Sequence, residues 1–233
     1  MIVAVRQRAA SRVGAYDDST DGIRSPVATR ILPNVFVTFE GIDGSGKSTQ
    51  AELLAEALRS EGRAVVATRE PGGTELGERI RELLLAEGAH ISPWAETALF
   101  AAARAQLVEE VIYPALRDGA DVVCDRYLDS SLAYQGLARR LGVERVLELN
   151  LQATRGLLPD RTFLVALGPE QAAARGDGDA DRIEQEGLEF QAAVERAYDE
   201  LAAMFPNRIT RLDGSRPAAE LARIVRDELR ELS

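Results

Sequence analysis

Apolar and polar positions follow two alternating periods along the chain from residue 35 onward. Short apolar runs rich in β-branched residues predict buried strands at 35–39, 64–68, 121–124, 161–167 and 208–212. Between these runs, apolar residues recur three and four positions apart, which predicts amphipathic helices. The helices are expected after residue 48 and over 75–87, 93–117, 128–138, 143–155, 181–204 and 217–232. Strands that alternate with helices in this way predict an α/β fold, in which helices cover both faces of a five-stranded parallel sheet.

The first 33 residues show neither period. Turn-forming residues such as Ser19, Gly22 and Pro26 interrupt them, and they lack the apolar core of a secretory signal. Their aspartates also argue against an organelle-targeting peptide, which is poor in acidic residues. We expect a disordered N-terminal extension or a start assigned too far upstream, with a functional arm as the alternative. Residues 34–233 are expected to form one domain.

The overall charge narrows the choice of partners. The chain of 233 residues has a formal net charge of −10, which argues against a nucleic-acid or anionic-membrane partner. Its single cysteine, Cys124, excludes an intrachain disulfide and suits a reducing cytoplasm, which is the location we expect. No apolar run in the sequence is long enough to span a bilayer.

A glycine-rich segment between the first strand and the following helix carries the clearest chemical signal. Residues 41–48, with the sequence GIDGSGKS, match the phosphate-binding pattern G-x-x-x-x-G-K-[ST] at every fixed position. Such a loop points successive backbone N–H groups at an anion, and the helix N-terminus adds the positive end of its dipole. Lys47, the only lysine among 28 basic residues, suits the β- and γ-phosphates of a nucleotide, and the Ser48 hydroxyl suits Mg²⁺. The predicted ATP-binding residues are Gly41, Ile42, Asp43, Gly44, Ser45, Gly46, Lys47, Ser48 and Thr49.

Three charged residues extend this site to a second ligand. Asp125 ends the third strand, where a carboxylate can hold Mg²⁺ or its waters; the alternative is a helix N-cap. Arg126 follows at once and can bridge donor and acceptor phosphates. Asp43 lies inside the phosphate loop, where a carboxylate repels phosphate. We therefore expect it to meet a sugar hydroxyl or a metal, with plain loop polarity as the alternative.

Polar and aromatic residues near other strand ends could complete a nucleotide pocket. Arg69 precedes a Pro-Gly-Gly turn and could clamp an acceptor phosphate; the alternative is a surface ion pair with Glu70. Phe100 and Arg104 are four residues apart on one helix, so they share a face that could hold a nucleobase. The alternative for this pair is core packing with an amphipathic arginine.

Two more groups have similarly open interpretations. Ser130, Ser131, Tyr134 and Gln135 could line the pocket or face water. Arg175 and Arg182 flank a polar Gly/Asp-rich segment, which could be a flap that closes over phosphates or a plain loop.

Six motifs, in this order, resemble those of bacterial thymidylate kinases, which are P-loop nucleoside monophosphate kinases. They are FEGIDGSGKST at 39–49, REPGGT at 69–74, LFAAAR at 99–104, DRY at 125–127, AYQG at 133–136 and DRIE at 181–184. The resemblance covers about residues 35–231. It implies a three-layer P-loop kinase fold with a short flap at about 168–182, and phosphorylation of dTMP to dTDP by Mg²⁺-ATP in dTTP biosynthesis. It also implies a homodimer.

The same resemblance implies a role for each matching residue. Lys47 and the loop amides would hold the ATP phosphates, and Ser48, with Asp125, the Mg²⁺. Asp43 would accept a hydrogen bond from the dTMP 3′-hydroxyl, and Arg69 and Arg126 would hold the dTMP phosphate. The base and sugar contacts would come from Phe100, Arg104, Ser131, Tyr134 and Gln135.

The flap departs from the family pattern. The phosphate loop has no arginine at its variable positions, and in the family that form goes with catalytic arginines in the flap. Here the flap is short and acidic, so we expect Arg182 to act, with Arg175 as the second candidate. The alternatives for the whole chain are a kinase for another nucleoside monophosphate and a non-catalytic module that binds ATP.

Overall fold

The computed structural model describes residues 34–175 and 182–231. The extension expected at 1–33, and residues 176–181 of the expected flap, lie outside these described residues. The predicted parallel sheet is confirmed, with five strands in the order β2-β3-β1-β4-β5 and every neighbouring pair parallel. The strands are β1 (Phe36–Glu40), β2 (Val65–Arg69), β3 (Asp121–Asp125), β4 (Arg161–Ala166) and β5 (Ile209–Asp213). Each lies within about two residues of its predicted range.

Helices fill the connections between the strands. Their bounds are α1 (Lys47–Ser60), α2 (Glu75–Leu85), α3 (Pro93–Leu107), α4 (Tyr113–Arg117), α5 (Leu128–Ser131), α6 (Val143–Ala153), α7 (Pro169–Ala173), α8 (Gly187–Met204) and α9 (Ala218–Arg230). Local sequence explains several of the starts. Thr74 and Ser92 cap α2 and α3 by accepting hydrogen bonds from the backbone N–H groups of Gly77 and Ala95.

The single helix predicted over 93–117 is wrong in detail. Between α3 and α4 the chain widens into a π-helical segment at Val108–Ile112, where the Tyr113 N–H reaches back five residues to Val108 O. Pro114 provides the physical reason, because it lacks an N–H and its ring crowds the preceding turn. The helix predicted over 128–138 likewise changes to a π-helical segment at Leu132–Ala138.

The flap region also differs from the prediction. The sequence predicts a polar segment without a core over 168–180, but Pro169–Ala173 forms the short helix α7, with Pro169 and Ala172 buried. The helix expected over 181–204 begins only at Gly187, after a 3₁₀ turn at Glu184–Glu186.

Apolar residues on the two faces of the sheet form two cores. Val37, Phe39 and Phe163 face α1 and α9, where Leu54 and Val225 cover them. The opposite face carries Phe36, Val122, Cys124 and Leu164 and packs against a thicker layer that includes the π-helical segments, α6 and α8. Because side chains alternate along a strand, Glu40 lies on the same face as Phe36. The glycine-rich loop, the Arg69 turn and the Asp125–Arg126 corner all meet at the carboxyl edge of the sheet, as ligand sites of parallel sheets do.

Candidate active site

The glycine-rich loop joins β1 to α1 and owes its shape to glycines at left-handed positions. Gly46 immediately precedes α1 with φ 96°. Gly44 has φ 77°, and a Cβ atom there would lie 2.3 Å from the Ala172 carbonyl oxygen of α7. The loop therefore needs glycine at residue 44 both for its backbone conformation and for its close approach to the flap helix.

One cavity lies along the outer side of this loop, and we call it the P-loop cavity. Its lining residues include Gly44, Ser45, Gly46, Lys47, Ser48 and Thr49, together with Arg175 of the flap. The turn after β5, residues 214–218, supplies the other side. Gly41 and Ile42 instead line a small pocket against β4 and α8. Sequence reasoning missed the turn after β5, although its position at a carboxyl strand end signals a binding role.

Asp43 lies on the other side of the loop and forms ion pairs with two cationic side chains, Lys47 and Arg126. Its Oδ1 accepts hydrogen bonds from Lys47 Nζ at 2.8 Å and from Arg126 Nη2 at 2.7 Å. Burial favours the protonated carboxyl, but the charges of Arg126 and Lys47 outweigh it and hold the pKa of Asp43 well below its usual range. Burial, followed by the charge of Arg126, lowers the pKa of Lys47. Asp43 is thus an ionised acceptor held between two donors.

The predicted metal residues also meet. Ser48 Oγ donates to Asp125 Oδ2 at 2.5 Å, while Asp125 Oδ1 is buried without a hydrogen-bond partner among the described residues. A hydroxyl, a carboxylate and an unsatisfied carboxylate oxygen form an oxygen donor set that fits Mg²⁺. Within residues 34–175 and 182–231, no group of three or more His, Cys, Asp or Glu side chains could hold a metal. A site of this kind leaves most positions around the ion to phosphate and water.

A second cavity lies beside Arg126, and we call it the Arg126 cavity. Phe100, Ser131, Tyr134 and Gln135 are among its lining residues. Asp43 and Arg126 form its inner end, next to the P-loop. The Arg126 guanidinium lies 5.5 Å from the centroid of the Tyr134 ring. Arg81 and Glu70 also line this cavity and were missed by sequence reasoning. Arg81 lies on α2 and donates to the Pro71 carbonyl, a contact with no local sequence signal.

Arg104 lies behind this cavity, 1% exposed, with its whole guanidinium occupied by protein acceptors. Its Nε and one Nη2 hydrogen go to Glu70 Oε2, at 2.7 and 2.5 Å. The other Nη2 hydrogen goes to the Tyr127 carbonyl, and the two Nη1 hydrogens go to Ser131 and Asn150. A guanidinium has five N–H donors, so none remains for a nucleobase in this arrangement.

Arg69 is paired as well, with Glu78 and not with Glu70. Its Nη2 donates to both carboxylate oxygens of Glu78 on α2, at 3.1 and 3.0 Å. Glu78 also accepts from the Gly73 N–H, so it ties Arg69 to the Pro-Gly-Gly turn. Glu70, the ion-pair partner considered from sequence, holds Arg104 instead.

The two flap arginines lie at different sites. Arg175 lines the P-loop cavity and donates to the Gly214 carbonyl at 3.1 Å. Arg182 donates to the Leu84 carbonyl at the end of α2 and pairs with Glu96 Oε2 at 2.6 Å. Glu96 is buried and also binds Gln135 Nε2, at 2.8 Å. Arg182 therefore supports the wall of the Arg126 cavity, whereas Arg175 is next to the P-loop.

Glu40 is a further residue of this region, which lies within the motif at 39–49 but has no role predicted from the sequence. It lies at the end of β1, 1% exposed, and accepts hydrogen bonds from Ser130, Tyr198 and the Tyr127 N–H. Ser130 and Tyr198 in turn accept from Arg126. The signal that could have found Glu40 is a charged residue that directly follows an apolar strand.

Comparison with known proteins gives a consistent result. A family profile described as thymidylate kinase matches residues 39–224. The chain is 51% identical over 191 residues to a thymidylate kinase of Synechococcus sp. (strain JA-3-3Ab), covering 82% of this chain and 93% of that protein. It is 49% identical over 206 residues to one of Clavibacter michiganensis subsp. michiganensis (strain NCPPB 382), covering 86% and 97%. A crystal structure of thymidylate kinase from Ehrlichia chaffeensis superimposes with a TM-score of 0.69 at 32% identity, covering 84% of this chain and 98% of that one.

Proposed function

The chain belongs to the thymidylate kinase family, whose reaction is phosphorylation of dTMP to dTDP with ATP, and we propose how its residues divide that reaction. ATP occupies the P-loop cavity and dTMP the Arg126 cavity. The observation that carries this division is the position of Asp43 between the two cavities, where it accepts hydrogen bonds from both Lys47 and Arg126. The γ-phosphate of ATP and the phosphate of dTMP would then both lie next to the same two cations, Lys47 and Arg126.

The transfer needs little covalent assistance from the protein. The dTMP phosphate oxygen is already a nucleophile, so the chain has to align it with the γ-phosphate and neutralise charge. Lys47 faces the β- and γ-phosphates, Arg126 bridges donor and acceptor, and Asp43 accepts from the 3′-hydroxyl of dTMP. Arg69 and Arg81, at the turn and on α2, add positive charge near the entering phosphate.

Ser48 and Asp125 are the residues that would hold Mg²⁺. The bound ion would supply charge neutralisation between the phosphates. The support for this assignment is the hydroxyl–carboxylate pair and the unpartnered Asp125 Oδ1 described above.

The far end of the Arg126 cavity would select the base. Phe100 stacks on thymine, and Tyr134 lies under the sugar, where a 2′-hydroxyl is disfavoured. Because Glu96 takes the amide nitrogen of Gln135, the Gln135 carbonyl is left to accept from the N3–H of thymine. Ser131 adds a hydroxyl at the same wall. Arg104 acts through Ser131 and Glu70 instead of touching the base itself.

For the flap, we propose Arg175 as the residue that stabilises the transferred charge, in place of Arg182. Arg175 shares the P-loop cavity with Lys47, whereas Arg182 is engaged by Glu96. We also propose that the protein acts as a homodimer, as the family resemblance implies, and in the cytoplasm, which suits its single cysteine. Among the helices of the described part, none is both long and apolar enough to cross a membrane.

A coupled assay of ADP release tests the function directly. We expect dTMP to be the preferred acceptor among dTMP, dUMP, AMP, GMP and CMP. A preference for a purine would identify a kinase for another nucleotide. ATP binding without dTMP-dependent ADP release would identify a non-catalytic module.

The role of Lys47 is tested in the same assay. Lys47→Ala should lower kcat by at least about 100-fold, because charge stabilisation in the transition state is lost. The Kd for dTMP, measured by calorimetry, should stay within about threefold. Arg79→Ala is the matched control, since Arg79 forms an exposed ion pair with Glu75 on α2 and should have no effect. Loss of dTMP binding with kcat intact would refute the assignment of Lys47.

A further inference from the structure

Glu40 is a buried carboxylate whose two oxygens bind different parts of the Arg126 corner. Its Oε1 accepts the backbone N–H of Tyr127 at 2.8 Å. Its Oε2 accepts the hydroxyls of Ser130, at 2.6 Å, and Tyr198, at 2.9 Å. No ion pair of Glu40 is present among the described residues, where these three donors are its hydrogen-bond partners and the charges of Asp129 and Arg126 also act on it.

The two hydroxyls lie between Glu40 and Arg126 with their oxygens 2.9 Å apart, and both donate to the Glu40 carboxylate. A hydroxyl has one hydrogen to donate and lone pairs to accept with. Because Ser130 and Tyr198 both donate to Glu40, their lone pairs are left for Arg126 Nη1, which lies 3.1 Å from Ser130 Oγ and 3.2 Å from Tyr198 Oη. A carboxylate, two hydroxyls and a guanidinium thus form one ordered chain of donors and acceptors.

Glu40 also holds the backbone at this corner. Arg126 has φ 69°, a left-handed conformation that non-glycine residues adopt only when their surroundings enforce it. The Arg126 N–H donates to the Phe39 carbonyl, and the next N–H, of Tyr127, donates to Glu40. Both the side chain and the backbone of Arg126 are therefore tied to the end of β1.

We propose that Glu40 is a positioning residue for phosphoryl transfer. It orients Ser130 and Tyr198 so that both accept hydrogen bonds from Arg126, and it thereby aims the Arg126 guanidinium at the acceptor phosphate. The inference rests on the role proposed above for Arg126. Glu40 itself touches neither substrate.

The charge distribution supports a functional purpose for this carboxylate. Burial, followed by the negative charge of Asp129, raises the pKa of Glu40 to about 7. The ionised form is therefore held at a cost in stability, which is typical of groups arranged for function.

A neutral amide cannot replace the carboxylate in this chain. In Glu40→Gln, the carbonyl can face either the two hydroxyls or the Tyr127 N–H, and the NH₂ group then faces the remaining donor. If the NH₂ group faces the hydroxyls, they must accept from it and turn their hydrogens towards Arg126. Either orientation therefore breaks one link to Arg126: the side-chain link through the two hydroxyls or the backbone link through the Tyr127 N–H.

A double-mutant cycle tests the proposal. We would measure kcat and KM for dTMP and ATP at pH 8 for the wild type, Glu40→Gln, Arg126→Ala and the double variant. Glu40→Gln should lower kcat about 10- to 100-fold, the range expected for a hydrogen bond to a charged group, with KM for ATP within about twofold. The double variant should be no slower than Arg126→Ala alone, because both changes remove the same alignment.

Asp121→Asn is the matched control. Asp121 is another buried carboxylate, 1% exposed, that accepts a backbone N–H, from Val35, and pairs with Arg63 at the opposite end of β3. This variant should lose stability and keep its kcat. If it loses kcat as strongly as Glu40→Gln, the effect of Glu40 is general destabilisation and the proposal is overturned.

A second variant protects the test against misfolding of Glu40→Gln. Tyr198→Phe keeps the ring and removes one acceptor of Arg126, so kcat should fall about 3- to 10-fold. Wild-type kcat in both Glu40→Gln and Tyr198→Phe, with Arg126→Ala slow, would overturn the role of Glu40 alone. Wild-type kcat in Arg126→Ala would overturn the role of Arg126 and the inference together. Losses that multiply in the double variant would show that Glu40 acts independently of Arg126, against the proposal.

Discussion

Arg104 and Arg126 differ in how many of their N–H donors the protein occupies. All five donors of Arg104 have protein acceptors. Arg126 gives two donors to Ser130 and Tyr198 and one to Asp43. Among the described residues, the Tyr134 hydroxyl is the one further acceptor at its guanidinium, so at least one donor of Arg126 stays open beside the cavity. The difference separates two uses of a buried guanidinium: a saturated one holds elements together, and an unsaturated one beside a cavity is available to a ligand.

The largest expected effect concerns the fold at Arg104. Arg104→Ala leaves Glu70 buried without its partner, so the free energy of unfolding should fall by about 3–5 kcal/mol. Urea denaturation checks this value. Arg69→Ala is the control of the same residue type, because its pair with Glu78 is exposed and should contribute at most about 1 kcal/mol. If the free energy of unfolding falls equally in the two variants, the saturated guanidinium of Arg104 does not have the structural role inferred for it.

The next prediction concerns Glu40, which holds Arg126, and it is tested by measuring the free energy of unfolding as a function of pH. Glu40 has a folded-state pKa of about 7 against 4.5 in the unfolded chain, because burial and then Asp129 raise it, while Ser130, Arg126 and the Tyr127 N–H only partly oppose them. A raised pKa means that the folded state holds the proton more tightly. The stability from this group is therefore complete below about pH 4.5 and is lost as the pH rises through about 7.

The complete change is about 3.5 kcal/mol, because the two pKa values differ by about 2.5 and each pKa unit corresponds to about 1.4 kcal/mol, and about 2.5 kcal/mol of it falls between pH 5 and pH 8. It should appear as the difference in unfolding free energy between wild type and Glu40→Gln, measured at pH 5 and at pH 8. Relative to wild type, Glu40→Gln should gain stability on going to pH 8 while its kcat is low. A difference that does not change with pH would contradict the buried, titrating carboxylate.

The smallest effect separates the flap arginines. Arg175→Ala should lower kcat about tenfold with KM for dTMP nearly unchanged, because Arg175 lies at the P-loop cavity. Arg182→Ala should instead raise KM for dTMP, because it loosens Glu96 and so Gln135. Steady-state kinetics with each substrate varied would check both. The opposite pattern would restore Arg182 as the residue that stabilises the transferred charge, the role expected from sequence.

Much of the fold was predictable because its signals are local. An apolar run of five residues or a three-and-four spacing is read within one segment, and all five strands were found in this way. The errors fell where backbone hydrogen bonding departs from the regular pattern. Pro114 shifts a helix into a π-helical segment, and a short helix, α7, packs beneath Gly44. Neither feature changes the apolar period enough to be visible in the sequence.

The site residues show the same difference between local sequence signals and features that depend on packing. Lys47, Ser48, Asp125 and Arg126 were placed by motif and strand end, and the structure brings Ser48 to Asp125 and Lys47 to Asp43. The Phe100 and Arg104 pair shares a helix as predicted, yet only Phe100 lines the cavity, because acceptors from four other positions surround Arg104. A helix spacing states which residues share a face, and it does not state what covers that face.

The sequence by itself determined the parallel α/β sheet, the phosphate loop and the family. Those properties depend on residue types at fixed short spacings. Only the tertiary structure decided the partners of the charged side chains: Arg69 with Glu78, Arg104 with Glu70, Arg182 with Glu96, and Glu40 with the hydroxyls beside Arg126. Most of these partners lie more than thirty positions apart in the chain. Whether a guanidinium is saturated or free for phosphate depends on a few ångströms between distant elements, which the chain fixes only when it packs.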